Sequence, residues 1–351
     1  MLVTIDVGNM NVKFRPQGGK AWAAEAALVT PAIAGGFAFT ASSGPRSVRY
    51  QRGPAQIRDG EFFVGNDART HGAGNVAMIG SARVRAATDA YLLLHLWGIL
   101  ASLPKGMTAP PPLAVAGGVP AADFGADGKT PAVTALKQRL KGTHVLSWGG
   151  TTYTITIDKI LIVPQAIGPA ACAVLTPMGQ VRADALATQR AVLVVGGGTT
   201  EHSVRLGLDL RPGTEGSVAY GMAQVAERTV ALLRSRHAGL ATLTTLDVLR
   251  AIQEQGMQAT VYLAGKPHAI GDSIASVASG LVDDILAALP RAVIEALPQS
   301  EVILAGGAMR ELGDVCKQRL RVQSGACTIA TTPLYAVAEG IERLARFKLA
   351  A

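Results

Sequence analysis

The sequence predicts an α/β protein of two domains, and three observations carry that reading. Its 351 residues exceed the ~150 typical of one domain. Short β-branched runs alternate with stretches whose apolar residues recur every three or four positions, as in strands covered by amphipathic helices. A strand–turn–strand grammar also occurs twice. Leu2-Val-Thr-Ile-Asp-Val-Gly-Asn-Met-Asn-Val-Lys-Phe14 is matched by Val192-Leu-Val-Val-Gly-Gly-Gly-Thr-Thr-Glu-His-Ser-Val204. Setting Gly8 on Gly196 places Asp6 on Val194 and Asn11 on Thr199. Two such units imply duplicated halves facing each other across a cleft.

Taken in order, the strands fall at 3–6, 12–15, 61–64, 113–116, 145–148, 153–157, 160–163, 192–195, 202–206, 302–305 and 328–330. Helical periods cover 86–102, 132–140, 218–236, 245–255, 270–289 and 334–347. The Gly/Pro-rich stretches 32–54 and 104–112 read as irregular.

Composition narrows the class. Hydrophobic residues make up 49% and charged residues 17%, which excludes a disordered chain. Forty glycines with only 5% aromatics call for many tight turns and a core of Ala, Val, Leu and Ile. Cys172, Cys316 and Cys327 are an odd, scattered set without a CxxC pair, so neither a disulfide scaffold nor a zinc site is expected and the setting reads as reduced and cytoplasmic. The opening Leu2-Val3-Thr4-Ile5 carries no basic n-region or long apolar h-region, so no signal peptide is expected. No apolar run approaches the ~20 residues of a membrane span, so no membrane partner is expected.

Lys and Arg number 33 against 25 Asp and Glu, a formal charge of +8. That balance permits attraction to polyanions. The densest cluster, Arg46, Arg49, Arg52 and Arg58, lies in a stretch read as a loop, and no nucleic-acid motif or aromatic platform accompanies it. It reads as a solvated surface, with little direct nucleic-acid binding.

The glycine turns are where chemistry enters. A short glycine turn exposes backbone N–H groups and lets an anion approach the main chain. Gly8 with Asn9 and Asn11, and Gly196-Gly197-Gly198, would grip a polyphosphate from two sides. Asp6 at a strand end suits Mg²⁺, which keeps several waters and takes few carboxylates. Lys13 is a point charge for a phosphate oxygen, and Thr199 and Thr200 offer hydroxyls. A lone glycine run is only a turn, and what raises it here is the matched context of the two halves. A third turn, Val302-Ile-Leu-Ala-Gly-Gly-Ala308, ends another apolar strand and precedes a polar helix start.

These motifs stand in the order of a known family. The chain resembles the actin/Hsp70/sugar-kinase ATPase superfamily, with its ribonuclease H-like folds, and within it the ParM/StbA-like plasmid-segregation actins and their archaeal relatives. IDVGNMNVKF at 5–14 resembles the first phosphate motif, VVGGGTTE at 194–201 the second, and VILAGGAM at 302–309 the adenosine motif with Gly306, Gly307 and Ala308. Pro164-Gln-Ala-Ile-Gly-Pro-Ala-Ala-Cys172 is similar to the first connecting helix, and Pro333-Leu-Tyr-Ala-Val-Ala-Glu-Gly340 to the second. Phe63-Val-Gly-Asn-Asp-Ala68 and Val115-Ala-Gly-Gly-Val-Pro120 also fit the relatives' first domain.

The resemblance implies a two-domain actin-like fold with a nucleotide cleft, domain I being 1–164 plus 334–351 and domain II 165–333. It implies ATP or GTP with Mg²⁺, self-assembly into filaments and a DNA-binding adaptor in plasmid segregation. It gives Gln165 the role of positioning the attacking water and makes Asp6 the metal-side acid. Gly216-Ser217, Gln224, Glu227 and Arg228 match the segment bordering ribose and base, and Gly168 and Gly340 the hinge. His202 reads as a strand residue facing solvent or the sheet and not as a catalyst.

One departure stands out. The family's second phosphate motif begins with Asp, and here that position is Val194. Glu201 lies beyond the turn and is not the expected replacement, so hydrolysis should be slower than binding would suggest. Two other functions stay open: a small-molecule kinase, since IDVGNMN also resembles the start of type III pantothenate kinases, and a non-hydrolysing nucleotide-binding scaffold. A kinase needs a carboxylate base for its acceptor hydroxyl, and the second motif offers no Asp.

Overall fold

The computed structural model describes residues 1–8, 10–31, 47–71, 77–78, 88–321 and 326–349. Its contacts divide the chain into two compact units, Met1–Val181 with Val337–Ala351, and Arg182–Ala336.

The first unit holds a ten-stranded sheet. Its strands are β1 (Leu2–Val7), β2 (Asn11–Phe14), β3 (Ala23–Ala26), β4 (Leu28–Pro31), β5 (Ser47–Arg52), β6 (Glu61–Val64), β7 (Ala77–Met78), β8 (Leu113–Val119), β9 (Gly142–Trp148) and β10 (Thr151–Pro164). Their order across the sheet is β3-β2-β1-β8-β10-β9-β5-β6-β4-β7. β1, β8 and β10 run parallel at its centre. The helices are α1 (Gly65–His71), α2 (Asp89–Ser102), α3 (Ala121–Phe124), α4 (Pro131–Leu140) and α5 (Ile167–Val174). α2 starts where the Thr88 hydroxyl accepts from the Tyr91 N–H, an N-cap. It is buried from Tyr91 to Ser102, which explains why it reads apolar on every face. Trp97 of α2 meets Phe14 of β2 edge-on at 5.3 Å, and Gly98 leaves room for Ile5 of β1.

The second unit is built on β11 (Gln189–Val195), β12 (Thr200–Leu206), β13 (Asp209–Leu210), β14 (Gly216–Val218), β15 (Thr260–Leu263), β16 (Lys266–Ala269), β17 (Glu301–Ala305) and β18 (Ala326–Ile329). Its main sheet runs β13-β12-β11-β17-β18, with β14 also on β12. α6 (Met222–Arg236), α7 (Thr245–Gln255), α8 (Gly271–Ala288), α9 (Arg291–Ala296) and α10 (Met309–Arg321) complete it. α7 opens on a capping box in which Thr244 and Asp247 bond reciprocally. The last helix, α11 (Ala336–Leu349), packs with the first unit.

Several elements differ from the sequence expectation. The strands expected at 153–157 and 160–163 are one strand, β10, with an irregularity between Ile157 and Lys159. The backbone continues through Asp158-Lys159, antiparallel to β9 before it and parallel to β8 after it. Within 32–54, residues 47–52 form β5, so Arg49 and Arg52 sit on a strand; Arg46 lies outside the described residues. Val48 and Tyr50 alternate inward there while Arg49, Gln51 and Arg52 stay exposed, the period of a half-buried strand. The helix expected from 218 starts at Met222, because 216–218 pairs with β12 as β14. The short strands β3 and β4 and the β15–β16 hairpin were not expected.

The glycines read as hinges have a packing reason. A Cβ on Gly340 of α11 would lie 1.7 Å from the Gly168 carbonyl oxygen, and one on Gly168 of α5 would lie 2.5 Å from that of Val337. The two helices touch backbone to backbone, which no larger residue allows.

Candidate functional site

The first hairpin brings its charges together by register. Asp6 and Lys13 are direct partners across the antiparallel β1–β2 pair, which places Lys13 Nζ 2.9 Å from Asp6 Oδ2. Gln165 arrives from the other end of the unit. It follows Pro164, the last residue of β10, and its backbone N–H donates to the Val119 carbonyl of β8. There its side-chain amide donates to Asp6 Oδ1 at 2.9 Å. Gly118 leaves the space, since a Cβ there would lie 2.7 Å from Ile341 Cδ1 and 3.0 Å from Gln165 Cγ. Asp6 is only 1% exposed, and a carboxylate so buried stays affordable because both oxygens accept hydrogen bonds, one of them from a cation. The structure thus joins Asp6, Lys13 and Gln165 into one cluster.

The turn itself is closed by Gly8, whose N–H donates to the Asn11 carbonyl at 2.9 Å. A Cβ on Gly8 would stand 2.8 Å from Lys13 Nζ, so the glycine keeps the space beside the ammonium open. An ammonium has three donors, and Asp6 takes one. Asn11 opens β2, half-buried, and Asn9 lies outside the described residues.

The second hairpin repeats this geometry. Val194 faces Glu201 and Val195 faces Thr200 across β11–β12, and the Gly196 N–H donates to the Thr199 carbonyl at 2.8 Å. The ring closed by Gly8 and Asn11 is therefore closed again by Gly196 and Thr199, and the Asp6/Lys13 pair falls on Val194/Glu201. The carbonyls of Gly196 and Gly197 accept from the N–H groups of Met222 and Ala223, at 3.1 and 2.7 Å, which seats the start of α6 against the turn. Gly221 must be glycine for this, because its Cβ would lie 2.7 Å from the Gly196 oxygen. The N–H groups of Gly197, Gly198 and Thr199 have no partner among the described residues, so three successive donors remain for an anion.

Several side chains near this turn have local partners. The Thr200 hydroxyl donates to the Tyr220 carbonyl at 2.8 Å. Gln224 Oε1 accepts from the Gly221 N–H at 2.8 Å, capping α6. Arg228 pairs with Asp284 of α8 at 2.6 Å and lies over the Tyr220 ring, while Glu227 is exposed. Glu201 is buried and accepts from the Ser217 hydroxyl of β14. His202 faces inward, not solvent: it is 2% exposed, its Nδ1–H donates to the Thr214 carbonyl at 3.0 Å, and burial lowers its pKa. Gly216 makes way for the His202 ring, whose atoms would lie 2.9 Å from a Cβ.

The third turn closes against the second. β17 runs parallel to β11, with Ala305 beside Val194. Gly306 has a φ of +101°, and a Cβ there would lie 2.2 Å from the Val195 carbonyl oxygen, so only glycine fits. The Ala308 N–H donates to that same oxygen at 3.2 Å, with Gly307 half-buried between. Both turns stand at the carboxyl ends of parallel strands, where open α/β sheets place ligands. Glu311 follows in the first turn of α10, and burial pushes its carboxyl up to about 7.

Sequence reasoning foresaw the turns and the acid but missed what positions them. Gly118, Gly221 and Tyr220 had no role assigned, and Ser217 was matched to the segment bordering ribose and base and not to Glu201. The paired glycines of Val115–Pro120 were the available signal for Gly118. Among the described residues no three His, Cys, Asp or Glu side chains gather as metal ligands, so a cation here would rest on Asp6 and water. No helix of the described residues is long and apolar enough to cross a membrane.

Comparison with known proteins gives the fold. Residues 4–168 match the family model described as the actin-like proteins N-terminal domain. The archaeal actin homolog Ta0583, solved in complex with ADP, is 17% identical with a TM-score of 0.69, covering 98% of each chain. The fold is actin-like. A ParM from Clostridium botulinum, solved as a 15-stranded filament, is 15% identical with a TM-score of 0.73 over 97% of each chain. Bacillus thuringiensis ParM with ATP is 14% identical with a TM-score of 0.66, over 97% of this chain and 96% of that one. No curated protein is similar to this actin-like chain by sequence.

Proposed function

We propose that the protein binds a nucleoside triphosphate, ATP or GTP, and polymerises head to tail in its presence. The observation that carries this reading is the repeated hairpin, in which Gly8–Asn11 and Gly196–Thr199 close the same turn behind the same kind of strand. Each unit then supplies one phosphate-binding turn. The functional division is taken at 1–164 plus 334–351 against 165–333. The nucleotides of the archaeal homolog and of B. thuringiensis ParM, and the filament of the C. botulinum protein, support the reading.

In this reading Gly197, Gly198 and Thr199 give backbone donors to phosphate oxygens and Lys13 gives a cation. Asp6 holds the hydration shell of Mg²⁺, which when bound neutralises phosphate charge. The open cradle beside Gly8 and the buried carboxylate fit both groups. Gln165, bonded to Asp6 through its amide N–H, keeps its amide oxygen to accept from the attacking water. Gly306, Gly307 and Ala308 border the nucleoside, and Gln224, Glu227 and Arg228 line the segment before it. Hydrolysis is slow, because Val194 neither accepts a hydrogen bond nor carries charge, and the Glu201 carboxylate opposite it is engaged by Ser217. The cellular role is DNA segregation in the cytoplasm, with an adaptor protein and not the filament holding the DNA.

Light scattering and pelleting of micromolar protein test the proposal, with Mg-ATP, Mg-GTP, slow analogues or no nucleotide across a range of salt. Nucleotide-dependent polymers are the expected result, since a heterologous contact that does not close makes a filament. A chain that never assembles overturns it. Phosphorylation of a compound in a metabolite panel would then mark the kinase, and nucleotide binding without turnover the scaffold.

A further inference from the structure

A second cavity lies in the first unit and shares no residue with the cluster around Asp6. Of about 720 Å³, it is walled by the start of β1, the segment 15–22, the end of α2, the residues after α5 and the face of α11. Leu2, Pro104, Pro177 and Met178 make part of its lining apolar, and Met178 is 68% exposed.

Three of its wall residues hold polar atoms that are shielded from solvent and have no hydrogen-bond partner among the described residues: Thr4 Oγ1, Trp22 Nε1 and Arg346 Nε. Thr4 as a whole is only 7% exposed. Native proteins pair nearly all such atoms, so three at one cavity call for an explanation. The indole and guanidinium nitrogens only donate, and a hydroxyl can donate, so the missing partner is an acceptor. The charges agree. Arg15, Lys20, Arg343 and Arg346 stand in the wall against Glu339 and Glu342, four cations to two carboxylates. Glu342 is shared between Arg15 and Arg346, at 2.9 and 2.8 Å, and Arg15 lies over the Trp22 ring at 4.6 Å.

We propose that this cavity binds a small amphiphilic monocarboxylate, its carboxylate accepting from Thr4, Trp22 and Arg346 and its hydrocarbon lying on Leu2, Pro104, Pro177 and Met178. An apolar lining with a few convergent polar groups is the usual composition of a small-molecule site. The proposal does not depend on nucleotide binding, and its test uses the full chain without nucleotide.

Decanoate is the probe, with decanol as its uncharged counterpart and acetate as the carboxylate without a chain. Titration calorimetry should show saturable decanoate binding, with decanol and acetate each at least ~5-fold weaker. Thr4→Val keeps the side-chain shape and removes the hydroxyl, and Trp22→Phe keeps an aromatic and removes the N–H. Each should weaken decanoate by ~10–150-fold, the usual range for one hydrogen bond to a charged group. Circular dichroism and thermal melting show that the variants fold, and Thr4→Val decides the matter if Trp22→Phe does not. No saturable binding at millimolar decanoate, equal binding of decanol, or unchanged affinity in Thr4→Val would each overturn the proposal.

Discussion

Lys13→Met isolates the strongest interaction in the candidate site. Asp6 is 1% exposed and accepts two hydrogen bonds, from Lys13 and Gln165, each at 2.9 Å. Methionine keeps the length of the lysine stem and removes its charge. The carboxylate then keeps one neutral amide donor. Breaking a fully buried pair costs about 3–5 kcal/mol because a charge is left uncompensated. The Lys13 side chain is 12% exposed, which lets water reach the gap, so ~2–4 kcal/mol is expected here. Asp6→Asn alone leaves the ammonium without its counter-charge and should cost ~1–3 kcal/mol. The double variant buries no charge at all. It should therefore lose less than the two single variants together, with a coupling of about 2 kcal/mol. Urea unfolding followed by tryptophan emission reads this cleanly, since Trp22, Trp97 and Trp148, the chain's three tryptophans, all lie in the first unit. Trp97 packs on Phe14, the residue after Lys13. Additivity of the single variants within ~0.5 kcal/mol would refute the argument, because residues that do not interact add.

Other outcomes follow from single contacts. Gly340→Ala forces a methyl against the Gly168 carbonyl and should cost at least ~3 kcal/mol by overpacking the α5–α11 crossing; a change under ~1 kcal/mol in the same urea assay would show that the helices part easily. His95, fully buried, has a pKa lowered to about 4, chiefly by desolvation. The unfolded chain protonates it near 6.5 while the folded one does not, so this stability is present above pH 6.5 and lost as pH falls toward 4, by ~3 kcal/mol in all. Tryptophan-detected urea midpoints should fall over that window and fall less in His95→Leu; identical pH profiles would contradict this. Gly197→Val should abolish the rise in melting temperature that Mg-ATP gives the wild type, by filling the space an anion needs at the main chain. Val194→Asp should speed phosphate release and filament disassembly, by up to ~10²-fold if positioning is restored. It should also lower stability, since it faces the Glu201 carboxylate across the strands. If the variant releases phosphate no faster than wild type, Val194 is not what limits turnover.

How much of this was legible in the sequence depended on the range over which each feature is decided. The hairpins were legible because strand, glycine turn and strand lie within about a dozen residues, and their closure, Gly8 to Asn11 and Gly196 to Thr199, is local. The meeting of Gln165 with Asp6 is set by the parallel pairing of β8 with β10, which no spacing of residue types discloses. β5 was hidden for another reason. Its exposed face carries Arg49 and Arg52, so charge masked the alternation of Val48 and Tyr50. Thr200 and Gln224 are polar groups beside a glycine turn, the kind expected of phosphate or ribose contacts, and each also satisfies a backbone group, Tyr220 C=O and Gly221 N–H. A helix start docked on a turn leaves backbone polar groups that must be paired, and the nearest short polar side chains are taken for that before any ligand arrives. What then remains for an anion is backbone: the N–H groups of Gly197, Gly198 and Thr199, which carry the same chemistry whatever side chains flank them. On the proposed function the glycines are therefore this hairpin's phosphate-binding residues, and Val194, where the resembled family carries Asp, leaves that donor set intact.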